Sequence, residues 1–294
     1  MLIGLQIPSF NFPGGVQTIR GTLKEIAQRA EEDGFASLWV MDHLYQIKGL
    51  FGETYTDPML EPYTTLGYFA GLTEKIKLGV LVTAVIYRHP AVLMKTVSTL
   101  DILAGGRAYL GIGAAWYEDE AVGNGIPYPP TAERFERLEE SLNLAKGLWA
   151  TDELSFAGKH FSAPAITNNP PPPSKPHPRI LIGGTGPHKT LRMTAQYADA
   201  CNIADWNGTE KMREALATLK GHCEHLGRDY ASIEKTCLCT FDLAGGDTTK
   251  GTVEKLKVLA DMGFTHAIFN MPGVYTMKPL EVFAKEIIPV AAGM

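Results

Sequence analysis

Asp42 and His43 follow directly on the apolar run Leu38-Trp39-Val40-Met41. An imidazole exchanges a proton near neutral pH, and a carboxylate beside it can orient it or contact a cofactor. Either group is costly to bury alone. The pair therefore suits the carboxyl end of a buried strand, where α/β enzymes keep their chemistry. A satisfied structural histidine is the competing reading, and the strand-end position favours proton transfer by His43.

Two further stretches have chemical potential. Ile180-Leu181-Ile182 runs into Gly183-Gly184-Thr185-Gly186-Pro187 and then into a helix starting near His188. Glycines let the backbone approach an anion, and a helix N-terminus adds free amide donors, so the segment reads as a phosphate loop. A tight turn that needs positive φ would read alike. A Walker loop is excluded, because its second glycine would fall on His188. Lys189 and Arg192 are close enough in sequence to assist with an anion. The second stretch, Leu110-Gly111-Ile112-Gly113-Ala114-Ala115-Trp116, ends a strand on small residues. That leaves room for a flat ring system, or serves close packing of strand and loop.

Charged residues elsewhere carry weaker signals. Arg88, in Tyr87-Arg88-His89-Pro90, reads either as a carboxylate or phosphate ligand or as a solvated loop residue. Arg107 begins a strand and so belongs to the opposite, stabilising face. His222-Cys223-Glu224-His225 lacks a further ligand cluster and reads as a solvated helix end, so no metal site is expected.

The elements that must position these residues alternate along the chain. Strands are predicted at 2–7, 37–41, 77–83, 107–112, 179–182, 200–204, 235–242 and 265–270, with helices between them. Eight strand–helix units in a chain near the typical barrel length of roughly 250 residues predict an α/β fold, a (β/α)₈ TIM barrel. A doubly wound sheet with a second domain is the runner-up. In a barrel, the strand ends nominate Ile7-Pro8, Asp42-His43, Val82-Thr83, Gly113–Trp116, Gly183–Gly186, Asp205-Trp206, Asp242 and Asn270-Met271. Residues 151–178 interrupt the rhythm between the fourth and fifth strands. Their four consecutive prolines, Pro170–Pro173, exclude helix and central strand. The insertion reads either as a functional lid or as a stiff surface excursion.

The chain has 294 residues, 45% hydrophobic and 20% charged, with formal net charge -5. This is an ordinary globular composition, and no basic run suggests nucleic acid. No apolar stretch is long enough for a bilayer, and Met1-Leu2-Ile3-Gly4-Leu5 lacks the cationic leader of a signal peptide. The four cysteines, at 201, 223, 237 and 239, form no C-x-x-C pair. A reduced cytoplasmic protein is expected.

Together these residues resemble the luciferase-like flavin and deazaflavin oxidoreductases, and most closely their actinobacterial coenzyme F420-dependent group. The resemblance spans nearly the whole chain. It includes Ile3-Gly4-Leu5-Gln6-Ile7, Trp39 with Asp42-His43, Tyr87-Arg88-His89-Pro90, Gly105-Gly106-Arg107, Gly111-Ile112-Gly113-Ala114, Glu133-Arg134-Phe135, Gly158-Lys159-His160-Phe161 and Ile182-Gly183-Gly184.

The resemblance implies a single barrel domain over 1–294 with the insertion within it, a small-molecule substrate and a homodimer. It implies hydride transfer by F420, with His43 as proton donor or acceptor and Asp42 orienting it or touching the cofactor. It further implies a non-proline cis peptide at Leu81–Val82, with Leu81, Val82, Thr83, Ala114 and Trp116 around the ring. Gly183, Gly184, Thr185 and Gly186 would hold the cofactor phosphate. The alternatives are an FMN-dependent two-component monooxygenase and a flavin- or deazaflavin-binding protein without turnover. Sugar-phosphate dehydrogenases of the family place a glutamate just beyond the fourth strand, where this chain has Trp116. That departure suggests a flatter, more apolar substrate or another proton donor.

Overall fold

The computed structural model describes residues 1–294. Its strands are β1 Leu2–Ile7, β2 Ser37–Val40, β3 Lys77–Val80, β4 Thr83–Ala84, β5 Ala108–Gly113, β6 Glu153–Ala157, β7 Ser162–Thr167, β8 Arg179–Gly183, β9 Ala200–Ala204, β10 Glu234–Thr240 and β11 His266–Asn270. The principal helices are α1 Val16–Glu32, α2 Pro62–Ala70, α3 Pro90–Leu103, α4 Glu118–Gly123, α5 Thr131–Ala150, α6 Thr190–Tyr197, α7 Thr209–His225 and α8 Thr249–Asp261. A final helical segment, Lys278–Ala291, passes through a π turn at Phe283–Ile287.

All main-sheet pairings are parallel. The order β3-β2-β1-β11-β10-β9-β8-β5 closes through a β3–β5 pairing, which makes an eight-stranded barrel. Periodicity explains the wrapping helices. In α1 the buried positions Ile19, Leu23, Ile26, Ala27 and Ala30 form one stripe. Pro90 opens α3 at the position that needs no amide donor, and Gly105 and Gly106, both at positive φ, stop it.

The predicted third strand is split. Leu81–Val82 is a cis peptide, at the position the resemblance implied, and the strand resumes as β4 beside Ile112. Gly111 shows why β5 is glycine-rich here. A Cβ at this position would lie 1.9 Å from the Val80 carbonyl oxygen, so the backbones approach too closely for any side chain.

Two apolar cores result. The larger one lies between the barrel wall and the helices. The smaller one fills the barrel itself, around Trp39, Leu81, Tyr109, Leu181, Leu238 and Ile268. Below it, at the amino ends of the strands, Trp39 Nε1 donates to Ser37 Oγ at 2.6 Å. Ser37 must then donate to His266 Nε2 at 2.8 Å, and His266 Nδ1 donates to Glu234 at 2.9 Å. This chain satisfies buried polar atoms at the stabilising end of the barrel.

The insertion differs from a simple loop. Residues 153–167 form an antiparallel hairpin, β6 with β7. A two-stranded sheet has only edges, so Pro164 is tolerated in β7. The proline segment follows, with cis bonds at Asn169–Pro170 and Lys175–Pro176. It is pinned along α3 by Asn168 to Ser98, Lys95 to the Asn169 carbonyl, and Ser174 to Asp101.

Candidate functional site

The carboxyl ends of the strands enclose a cavity of about 450 Å³. Strand polarity places Asp42 and His43 there, just after β2. Leu81, Val82 and Thr83 come from the split third strand, Ala114 and Trp116 follow β5, and Gly183, Gly184 and Thr185 end β8; all line the cavity. Gly186 does not line it, because that glycine lies behind Thr190, whose Oγ1 a Cβ at 186 would meet at 2.9 Å. No residue of 151–178 lines it either, since the insertion lies along α3.

His43 is held by a residue outside the predicted set. Its Nδ1 lies 2.7 Å from Glu120 Oε2, and both residues are buried. Tyr87 donates to the same oxygen at 2.7 Å, while the amides of Leu44 and Tyr45 donate to Oε1. Burial alone would push the Glu120 carboxyl up. The hydrogen bonds from His43, Tyr87 and Leu44 outweigh it and hold the group below its ordinary value. Glu120 is therefore a carboxylate at neutral pH. His43 directs an Nδ1 proton to it, and Nε2 is left for the cavity.

Asp42 does not orient His43. Its carboxylate is taken by Arg88 Nη1 at 3.0 and 2.8 Å and by the Ala84 amide at 2.9 Å. Arg88 also reaches Glu61 at 2.6 Å and lies over the Tyr63 ring. Arg88 thus binds carboxylates, but they are the protein's own, Asp42 and Glu61, rather than a ligand's, and the reading as a solvated loop residue falls away. Burial pushes the Asp42 carboxyl upward against the pull of Arg88. Tyr63 in turn bonds the buried Thr83 hydroxyl at 2.7 Å, which fixes that side chain at the cavity wall.

Trp116 stands at the mouth, 62% exposed, stacked on Tyr117 and edge-on to His43. Of the cations near the glycine loop, Arg192 is committed to Glu139 at 2.8 Å and Lys189 lies over Phe135. Arg134 does line the cavity; it is buried, stacks over Tyr128, and its Nε has no partner. His222 bonds the Pro187 carbonyl at 2.7 Å and joins no metal cluster.

Glu120 was hidden in the sequence by Glu118 and Asp119 beside it. Only the turn of α4 separates them, burying Glu120 and exposing the other two. Gln6, Asn202 and Arg134 also line the cavity, although no sequence signal marks them as site residues, and Asn270 is marked by its strand-end position alone. All four are ordinary polar residues until the barrel turns them inward.

The depressed carboxyls predict an acid limit to stability. Glu120, Glu31 (bonded to the amides of Glu74, Lys75 and Ile76) and Glu234 are all held below the ordinary 4.5 against the upward push of burial. A carboxyl whose folded pKa is lowered stabilises fully above its unfolded pKa and less as pH falls through its folded value. These groups should leave the urea midpoint level between about pH 7 and 5.5 and lower it steeply below about pH 4.5. Glu120→Gln should make that acid limb shallower; an unchanged limb would refute the assignment.

The family model described as luciferase-like monooxygenase matches residues 1–265. An F420-dependent glucose-6-phosphate dehydrogenase of Kineococcus radiotolerans is 31% identical, over 92% of this chain and 93% of that protein. A protein of the same name from Beutenbergia cavernae is 33% identical, over 88% and 90%. Among solved structures, an F420-dependent secondary alcohol dehydrogenase in complex with an F420-acetone adduct superposes with a TM-score of 0.82 at 16% identity, covering 99% of both chains. At that identity the likeness is one of fold.

Proposed function

The chain belongs to the luciferase-like monooxygenase family, and from that premise we propose that it is a coenzyme F420-dependent oxidoreductase acting on a small organic substrate. The observation that carries the reading is the His43–Glu120 pair at the edge of a cavity walled by small residues. Gly113 and Gly183 make room for Val82, which a Cβ at either would crowd at 3.0–3.1 Å, and with Ala114 they keep the wall beside the cis peptide thin, as a flat ring would need. Thr83 and the Leu81–Val82 segment would border the ring. Gly183, Gly184 and Thr185 would hold the phosphate, with Arg134, which also lines the cavity, as a nearby cation. The relatives' names support this choice of coenzyme.

Bound in this cavity, the deazaflavin would supply the hydride chemistry. The chain's own task is to place the substrate and to move the matching proton. His43 Nε2 transfers that proton, and Glu120 keeps the imidazole oriented through Nδ1, so Glu120 is a positioning residue. Asp42, locked by Arg88, shapes the turn that carries His43 and closes the wall beside Thr83.

Titration of the purified chain with F420 and with FMN tests the proposal. Saturable F420 binding, followed by hydride transfer to an acceptor, is the expected result. Tight FMN binding without a response to F420 would turn the reading toward an FMN-dependent monooxygenase. F420 binding without transfer to any acceptor would turn it toward a binding protein.

A further inference from the structure

Gln6 and Asn270 are register partners on the adjacent strands β1 and β11. Partners in a parallel ladder face the same side of the sheet, and both line the cavity. Each is 1% exposed, and neither Gln6 Oε1 nor Asn270 Oδ1 has a hydrogen-bond partner. The nearby Asn202 contrasts with them, because its amide is satisfied by Thr236 at 2.8 Å. Two adjacent buried amides without partners are unfavourable for folding, which marks them as groups kept for a ligand.

Their place in the ring says which ligand. Around the barrel, β1 stands four strands from β8 in either direction, diametrically opposite the glycine loop. It neighbours β2, which delivers His43. The amide pair thus adjoins the proton-transfer group and lies far from the cofactor's phosphate end. The acidic and basic side chains lining the cavity are Asp42, His43 and Arg134. Asp42 is neutralised by Arg88, and Arg134 lies on α5, between the β5 and β8 segments, on the glycine-loop side. No lysine lines it. The mouth is instead apolar and aromatic, with Trp116, Trp206 and Leu50 all more than half exposed.

We propose that Gln6 and Asn270 form a substrate-reading amide pair for an uncharged, apolar-bodied molecule bearing a carbonyl or hydroxyl group. The apolar body lies against the aromatic mouth, and the polar group is bonded by the amides within reach of His43. A sugar phosphate finds no free cation on this side of the cavity. The proposal rests on the F420 reading only for the location of the cofactor on the opposite side.

Ligand-observed NMR on the F420-loaded chain tests it, with cyclohexanone, cyclohexanol, methylcyclohexane and glucose 6-phosphate as probes. The ketone and alcohol should bind more tightly than methylcyclohexane, and glucose 6-phosphate should not displace them. Gln6→Met should weaken ketone and alcohol binding by roughly tenfold, the size of one or two lost hydrogen bonds, and leave methylcyclohexane and F420 affinity unchanged. Asn270→Asp keeps the shape but only accepts hydrogen bonds, so it should weaken the ketone more than the alcohol. Displacement by glucose 6-phosphate, or variants that bind every probe as the parent does, would overturn the proposal. In the latter case the amides serve fixed water or packing. Failure of the parent chain to bind F420 is a separate result that strikes the cofactor reading, and the same probes on the unloaded chain still read the amide pair.

Discussion

His43→Ala is expected to lower kcat by about 10²–10⁴-fold while F420 affinity stays within a few-fold of the parent. The asymmetry follows from the geometry. The imidazole borders the cavity after β2 and meets Trp116 only edge-on, while most groups nominated for the cofactor, Leu81, Val82, Thr83, Ala114 and the glycine loop, come from β3–β5 and β8. Removing the ring deletes proton transfer and little cofactor contact. Glu120→Gln should give a smaller loss of kcat with a shifted pH–rate profile. Glutamine has a single carbonyl oxygen for the four donors that Glu120 now serves, and it puts a neutral amide where a carboxylate held the imidazole. Stopped-flow measurement of cofactor oxidation, beside a fluorescence titration of F420, separates the two effects. If His43→Ala turned over within a few-fold of the parent, His43 would not be the proton carrier.

The second large effect concerns stability. Arg107 is buried at the amino end of β5 and donates to the carbonyls of Ala104, Ile76, Ala70 and Thr73 and to the Thr73 hydroxyl. It joins the end of α2, the start of β3 and the end of α3 through one guanidinium. Desolvation lowers its pKa, yet no carboxylate bonds it directly; carbonyl oxygens carry the charge. Arg107→Met fills similar space but strands several buried acceptors. Urea unfolding should show a loss of about 3 kcal/mol, from buried acceptors left unsatisfied, with an unchanged denaturant slope. Arg107→Lys should recover only part of it, because an ammonium has three donors and no fork. A Met variant as stable as the parent would remove Arg107 from the structural frame.

The two residues show where sequence reading succeeds. Arg107 begins a strand, which places it on the stabilising face, and there it caps backbone carbonyls. His43 follows a strand, which places it at the open face, and there it borders the cavity. Strand polarity and the count of strand–helix units, both supplied by hydrophobic periodicity, suffice for the two. The proline-rich insertion is less legible. Its prolines exclude regular core structure, yet Glu153–Thr167 pairs as a hairpin because an isolated ribbon has no second neighbour to satisfy.

Barrel fold, ordering of the units, and the strand ends bearing Asp42-His43, Thr83, Ala114 and the glycine loop were determined by local pattern: period, breakers and strand polarity act over a few residues. Which carboxylate serves His43 was decided only by tertiary structure. Asp42 is adjacent in sequence, but successive positions leave a strand end in different directions, so its carboxylate meets Arg88 instead. Glu120 is 77 residues away, and arrives because α4 folds back over the β2 end and turns one of three consecutive acids inward. The pairing of Gln6 with Asn270 likewise exists only once the first and last strands close the barrel. Long-range contacts depend on how elements pack, and no local spacing encodes the partner.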